Sequence, residues 1–353
     1  MRALREIAPD WEFHGRGGPK MKQVAGEAFM NWSDAAAVVG LWEVVKRYGY
    51  FREEFQKALD EITTLAPDAV VLIDYPGFNL RLARALRKRS PRLKIIYYIS
   101  PQVWAWTRGR ISQMARFLDL MLCIFPFEAD LYNQSGLRTV FVGHPMIENL
   151  AARRTNEARQ ADLIGLFPGS RLREIRKIFP IMLEAAATIA GEHNDVLFEV
   201  AAASEALALE IWNLLASSPM RDGVCIVTGD AAGTMQRAIA GIVASGTATL
   251  EAAYFRLPFV LVYKVSRPTY FAARLLMTTK YLGMPNVLAG REIVPEFVQQ
   301  QARPAAISRA VLQLINDPVA REQMISGFDA IIETLGETGA SAKAAEAIFQ
   351  ELN

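Results

Sequence analysis

Short apolar runs bounded by Gly, Pro, Asn or Asp recur along the chain, separated by stretches whose apolar residues return at three- and four-residue intervals. The runs within Asp68–Asp74, Lys94–Ser100, Asp119–Phe125 and Thr139–Val142 read as buried strands. So do those within Leu163–Phe167, Val196–Ala201, Val224–Val227, Gly241–Ala244 and Phe259–Tyr263. Helical spacing follows from Leu80, from Leu172 with Ile175, Ile178 and Met182 on one face, after Pro268, and over two or three helices between Ala306 and Asn353. Near the start, Met1–Ile7 reads as the end of a helix, Trp11–His14 as a strand and the glycine cluster Gly15–Gly18 as a loop. A parallel α/β domain would open with a strand ahead of such a helix, and the sequence shows none there. This alternation predicts an α/β protein of two doubly wound parallel-sheet domains, 1–149 and 150–327. The polar stretch Glu148–Asp162 links them, and a final helix, 328–353, returns to the first.

A length of 353 residues accommodates two cores, and 52% hydrophobic with 22% charged residues belongs to a folded chain rather than a disordered one. The formal net charge of +2 gives no support to nucleic-acid binding. Cys123 and Cys225 lie far apart inside apolar runs, which predicts buried thiols in a reducing, cytoplasmic compartment. His14, His144 and His193 are isolated and no metal-ligand spacing occurs, so no metal and no cofactor is expected. No run reaches the ~20 apolar residues of a membrane span.

Candidate chemistry clusters where strands end. Leu163–Phe167 runs into Pro168-Gly169-Ser170-Arg171 and a helix, a strand-turn-helix whose first N–H groups suit an anion, with a hydroxyl and a guanidinium beside them. Simple capping by Ser170 and ion pairing by Arg171 would use the same residues. Ser245-Gly246-Thr247 repeats the arrangement, and Glu251, one turn on, could accept bonds from a ribose diol or face solvent. Asp74 ends a strand of the first domain, where ligands of open α/β sheets gather, although it could equally cap the following loop. Trp104 and Trp106 could wall a sugar or acyl pocket or serve only in packing. The stripe Trp42, Val45, Tyr48 and Phe51, beside Lys46, Arg47 and Arg52, fits a core face or a surface on anionic lipid. Neither sheet opens with Gly-x-Gly-x-x-Gly, which disfavours a nicotinamide oxidoreductase.

Taken in order, Ile73-Asp74-Tyr75-Pro76-Gly77-Phe78-Asn79, Tyr98-Ile99-Ser100-Pro101-Gln102-Val103-Trp104-Ala105-Trp106, Phe125-Pro126-Phe127-Glu128, Phe141-Val142-Gly143-His144-Pro145-Met146, Phe167–Arg171, Ala244–Glu251 and Pro285–Glu292 resemble the lipid-A-disaccharide synthase family. The resemblance spans almost the whole chain. It implies a GT-B fold, two Rossmann-like domains facing a central cleft, and an inverting, metal-independent transfer. Diacylglucosamine would pass from its UDP donor to diacylglucosamine 1-phosphate, making the β-1,6 disaccharide of lipid A. It also implies Asp74 as the base. The donor would be held by Gly169, Ser170, Arg171, Ser245, Gly246, Thr247, Glu251 and Asn286, and Asn79, Ser100 and Trp104 would line the acceptor pocket. The aromatic stripe would rest on the cytoplasmic face of the bacterial inner membrane, and a homodimer is compatible with the pattern. Two departures are visible. The family's opening strand and Gly-Glu-x-Ser-Gly-Asp loop do not precede Met1, so a misassigned start or an incomplete pocket is expected, and Gly77 stands where the family usually has Asp. The rival readings are a non-catalytic homologue that binds UDP-sugar or membrane, and another UDP-N-acetylglucosamine enzyme of the same architecture.

Overall fold

The computed structural model describes residues 1–26, 28–31, 48–102, 111–266, 270 and 279–353. The chain divides into two units, Met1–Pro145 with Glu337–Asn353, and Met146–Gly336.

In the first unit, β1 (Gly15–Gly17) and β2 (Phe29–Asn31) form a separate two-stranded parallel sheet. The expected strand at Trp11–His14 is instead irregular, and the expected glycine loop is the strand. Glycine allows it: a Cβ on Gly17 would lie 2.5 Å from the Met21 sulfur and 2.9 Å from the Phe29 ring. Arg16 then ties β1 to the helix Tyr48–Leu65 through Glu54 and Glu61. The main sheet is parallel and runs in chain order: β3 (Ala69–Ile73), β4 (Lys94–Tyr98), β5 (Leu120–Cys123) and β6 (Thr139–Phe141). Its strands are apolar but for Lys94 and Thr139 at the starts of β4 and β6, because both faces are covered. Ile95, Tyr97 and Met121 pack with Leu82 and Leu86 of the helix Pro76–Arg89, while Ile96, Leu120 and Leu122 pack with Leu4, Ala344 and Ile348. The helix Ala340–Leu352 is pinned to that second face, where the Glu351 carboxylate accepts from Lys94 at 2.7 Å and Arg138 at 2.6 Å. Among the described residues β3 pairs with β4 alone, and its last residue, Ile73, is 39% exposed.

The second unit holds β7 (Gln160–Phe167), β8 (Leu197–Ala202), β9 (Val224–Thr228), β10 (Ala238–Ala244), β11 (Phe259–Tyr263) and β12 (Glu296–Val298), all parallel. Across the sheet they run β12-β11-β10-β7-β8-β9, so the winding reverses between β7 and β10. The helix Leu172–Glu192 buries Ile175, Ile178 and Met182, as its spacing predicts, and packs beside the helices Glu205–Ala216 and Pro304–Asn316. The stretch 148–162 is no free linker. It starts in the helix Pro145–Ala151, Thr155 N–H donates to the Gln236 side chain at 2.6 Å, and half-buried Arg159 donates to the carbonyls of Met235, Gln236, Ala238 and Phe255. Burial pushes the Arg159 guanidinium down to about 10. The unit extends to Gly336 rather than 327, because Phe328 is fully buried and stacks on Phe259 at 5.6 Å, beside Met324. Cys123 is buried in central β5, but Cys225 is exposed, because β9 is the edge of its sheet.

Candidate active site

At the carboxyl edge of the first sheet the backbone turns in an unusual way. Asp74 and Tyr75, immediately after β3, have φ of +47° and +49°, and Ile99, just after β4, has φ of +65°. Left-handed backbone is tolerable for Asp but costs a bulky side chain free energy, and it persists only where its surroundings enforce it. Here they do. Asp74 N–H donates to the Tyr98 carbonyl at 2.9 Å, and the Asp74 carbonyl accepts from the Tyr97 phenol at 2.6 Å and the Asn79 amide at 2.8 Å. The Asn79 amide also donates to the Ile73 carbonyl at 3.1 Å. Asp74 is exposed, and among the described residues no group hydrogen-bonds its carboxylate, which leaves the oxygens open to a substrate hydroxyl. Ser100 is buried, its hydroxyl donating to the Glu128 carboxylate at 2.6 Å, and Glu128 also accepts from Phe125 N–H at 3.2 Å. His144 lies beside the Phe125 ring at 5.3 Å, and burial pushes its imidazole down to about 4, so it is neutral in the fold.

The second sheet ends in glycine turns. Phe167, the last residue of β7, is in register with Val243 of β10, so the Pro168–Arg171 and Ser245–Thr247 turns leave adjacent strands at the reversal of winding. Ligands of open parallel sheets sit in the crevice outside this point. Gly169 has φ of +110°, and a Cβ there would lie 2.7 Å from a Glu174 carboxylate oxygen. Gly246 has φ of +150°, and the Thr249 hydroxyl fixes its turn by donating to the Gly246 carbonyl at 2.7 Å. Arg171, the residue before the helix Leu172–Glu192, is exposed and pairs with Glu174 at 2.8 Å. Tyr263 at the end of β11 completes the cluster. Its phenol is raised by burial and by the Glu174 charge, against the opposing field of Arg171. Glu251 is half-buried, its carboxylate without a hydrogen-bond partner among the described residues, and burial raises that carboxyl despite the Arg153 charge.

Asn286 departs from expectation. It is fully buried, its amide donates to the Val294 carbonyl and the Glu296 carboxylate, both at 2.8 Å, and its oxygen accepts from Ile293 N–H at 2.7 Å and Val294 N–H at 2.9 Å. Glu296 in turn accepts from the N–H groups of Leu282 and Gly283, both at 2.9 Å. A side-chain amide has four bonds to give and all four are used, so Asn286 holds its own loop and has none left for a sugar. Trp42, Val45, Trp104 and the Tyr48 side chain lie outside the described residues, and Phe51 is half-buried.

The lipid-A-disaccharide synthetase family model matches residues 1–349. The chain belongs to the lipid-A-disaccharide synthetase family. It is 35% identical to the lipid-A-disaccharide synthase of Geobacter sulfurreducens over 100% of this chain and 92% of that protein, and 38% identical to that of Koribacter versatilis over 96% and 90%. Among solved structures it is similar to the kitacinnamycin glycotransferase, with a TM-score of 0.61 and 15% identity over 99% of this chain and 94% of that one. A UDP-N-acetylglucosamine 2-epimerase gives 0.58 and 13% over 99% and 92%. These likenesses show the fold, of GT-B type with two Rossmann-like units.

Within this synthetase frame, Asp74, Asn79 and Ser100 come together on one sheet edge. Gly169, Ser170, Arg171, Ser245, Gly246, Thr247 and Glu251 come together on the other. Tyr97, Glu128, Glu174 and Tyr263 join them without having been singled out in the sequence. A polar aromatic closing the run Phe259–Tyr263, as Asp74 closes its own, is the signal that would have marked Tyr263.

Proposed function

We propose that this chain transfers diacylglucosamine from UDP to the 6-hydroxyl of diacylglucosamine 1-phosphate, giving the β-1,6-linked disaccharide 1-phosphate and UDP. Asp74 takes the proton of the acceptor hydroxyl while its oxygen attacks the anomeric carbon and the bond to UDP breaks, inverting that centre. The departing diphosphate gains charge, which the Gly169–Arg171 turn and the Arg171 guanidinium stabilise, with the Ser245–Thr247 turn beside them. Glu251 accepts bonds from the ribose hydroxyls. Asn79 and Ser100 shape the acceptor side, largely through the bonds that commit them to the backbone and to Glu128. Since both substrates are acylated, the enzyme works at the cytoplasmic surface of the inner membrane. None of the described helices is long and apolar enough to cross it.

The observation that carries this reading is the position of the two glycine turns on adjacent strands where the second sheet reverses its winding. The test is conversion of UDP-diacylglucosamine and diacylglucosamine 1-phosphate by the purified chain. Disaccharide 1-phosphate and UDP in equal amounts are expected. UDP binding with no disaccharide would leave a binding protein instead.

A further inference from the structure

The double left-handed turn at Asp74–Tyr75 needs something to hold it, and the two side chains that do so are not equivalent. Asn79 reaches back from the first turn of the helix Pro76–Arg89 and is only half-buried, so it could also meet substrate. Tyr97 is 0% exposed in the interior of the sheet, on β4 beside β3, and its phenol reaches the Asp74 carbonyl at 2.6 Å. Burial of that phenol, with the Asp74 charge nearby, raises it far above the ordinary range, so it stays a hydrogen-bond donor at all working pH values.

We propose that Tyr97 is a positioning residue for transfer: with Asn79 it clamps the Asp74 carbonyl, locks the Asp74–Tyr75 elbow in its left-handed form and so aims the carboxylate at the acceptor hydroxyl. The geometry is specific. The Asp74 N–H is held by one neighbour of Tyr97, the carbonyl of Tyr98, and the Asp74 carbonyl by Tyr97 itself, so β4 grips both polar groups of one residue on β3's exit. Tyr75 takes the same left-handed conformation at the start of the helix Pro76–Arg89, where its carbonyl accepts from Phe78 N–H at 3.1 Å and Asn79 N–H at 3.0 Å, and glycine adopts that conformation without steric cost. Releasing the phenol allows the elbow to relax toward ordinary backbone, which swings the Asp74 side chain away while every substrate contact made elsewhere is kept.

The proposal rests on Asp74 being the base, and the tests separate the two. Tyr97→Phe removes one oxygen from a buried ring that otherwise packs unchanged. Loss of one hydrogen bond of this kind predicts a kcat lower by about tenfold with KM for both substrates within about twofold. The Asp74 amide should also exchange its hydrogen about tenfold faster, while the amides of Ile95 and Ile96 keep their protection. Adding Tyr75→Gly to Tyr97→Phe should recover several-fold of the lost kcat, which a ring that merely fills the core would not allow. Wild-type kcat, or wild-type exchange at Asp74, in Tyr97→Phe overturns the clamp, as does a rise in KM at unchanged kcat. If the unmodified chain forms no disaccharide, the transfer reading fails and the exchange measurement alone decides the clamp.

Discussion

The two sheet edges solve the same problem with opposite means. The first ends in non-glycine residues in left-handed backbone, Asp74, Tyr75 and Ile99, with the buried Tyr97 phenol on the Asp74 carbonyl and the buried Glu128 carboxylate on the hydroxyl of Ser100, the residue after Ile99. The second ends in glycines, Gly169 and Gly246, at φ of +110° and +150°. The proposed function gives each its reason: a base would have to be aimed, which suits a clamped backbone, and a diphosphate would have to be enveloped by N–H groups, which suits a bared one.

A loss of UDP affinity separates these designs directly. Gly169→Ala places a methyl against Glu174 at a φ that suits glycine alone, and UDP affinity measured by calorimetry should fall by about a hundredfold. An unchanged affinity would mean that this turn does not touch the diphosphate. Asn286→Ala strips four bonds from a buried loop and leaves the Glu296 carboxylate short of a donor, so chemical denaturation should show a loss of about 3 kcal/mol. A variant of wild-type stability that binds UDP poorly would instead return Asn286 to the donor site.

A comparable effect at the first edge is pH-dependent. Folded His144 titrates at about 4, below its unfolded value of about 6.5, so the unfolded chain takes up the proton first as pH falls. Stability from this residue is complete above about 6.5 and is lost as pH drops toward 4, by about 3 kcal/mol in all. His144→Phe should flatten that part of the stability profile, whatever it does to the absolute value. The smallest effect belongs to Glu251. Its carboxyl is raised by burial, so the folded form holds its proton more tightly than the unfolded one, and stability declines as pH rises through the window above the ordinary carboxylate range. Glu251→Gln should therefore lift Tm slightly at neutral pH while weakening UDP binding several-fold. A lower Tm would mean that the carboxylate is satisfied in the free protein.

Much of this was legible in the chain. Apolar runs that close on Asp74 or break at Gly169 and Gly246 report parallel strands and their carboxyl ends, since a strand buried on both faces has to be apolar and a tight exit needs glycine. What stayed hidden depends on partners distant in sequence or on strand order. Nothing in Pro285–Glu292 announces that Glu296 and the backbone of Ile293 and Val294 consume the Asn286 amide. Cys225 looks as buried as Cys123 until β9 proves to be an edge. The glycines at 15 and 17 read as a loop because their use, close approach to Met21 and Phe29, is visible only in three dimensions. The unit boundary falls at Gly336 because one aromatic, Phe328, finds Phe259 across nearly seventy residues, a choice that periodicity does not encode. The elbow at Asp74–Tyr75 is the clearest case, since a tyrosine does not favour left-handed backbone and the groups that hold it, Tyr97 and Tyr98 of β4 and the Asn79 amide, meet it only in the fold.

The central claim is a division of labour, with a proton acceptor on the first edge and a UDP holder on the second. Asp74→Asn tests it most directly, with disaccharide formation and UDP affinity measured on the same preparation. The account predicts transfer lowered by at least about a thousandfold with a UDP dissociation constant within about twofold of wild type. Full turnover in Asp74→Asn, or loss of UDP binding in step with loss of transfer, would contradict it.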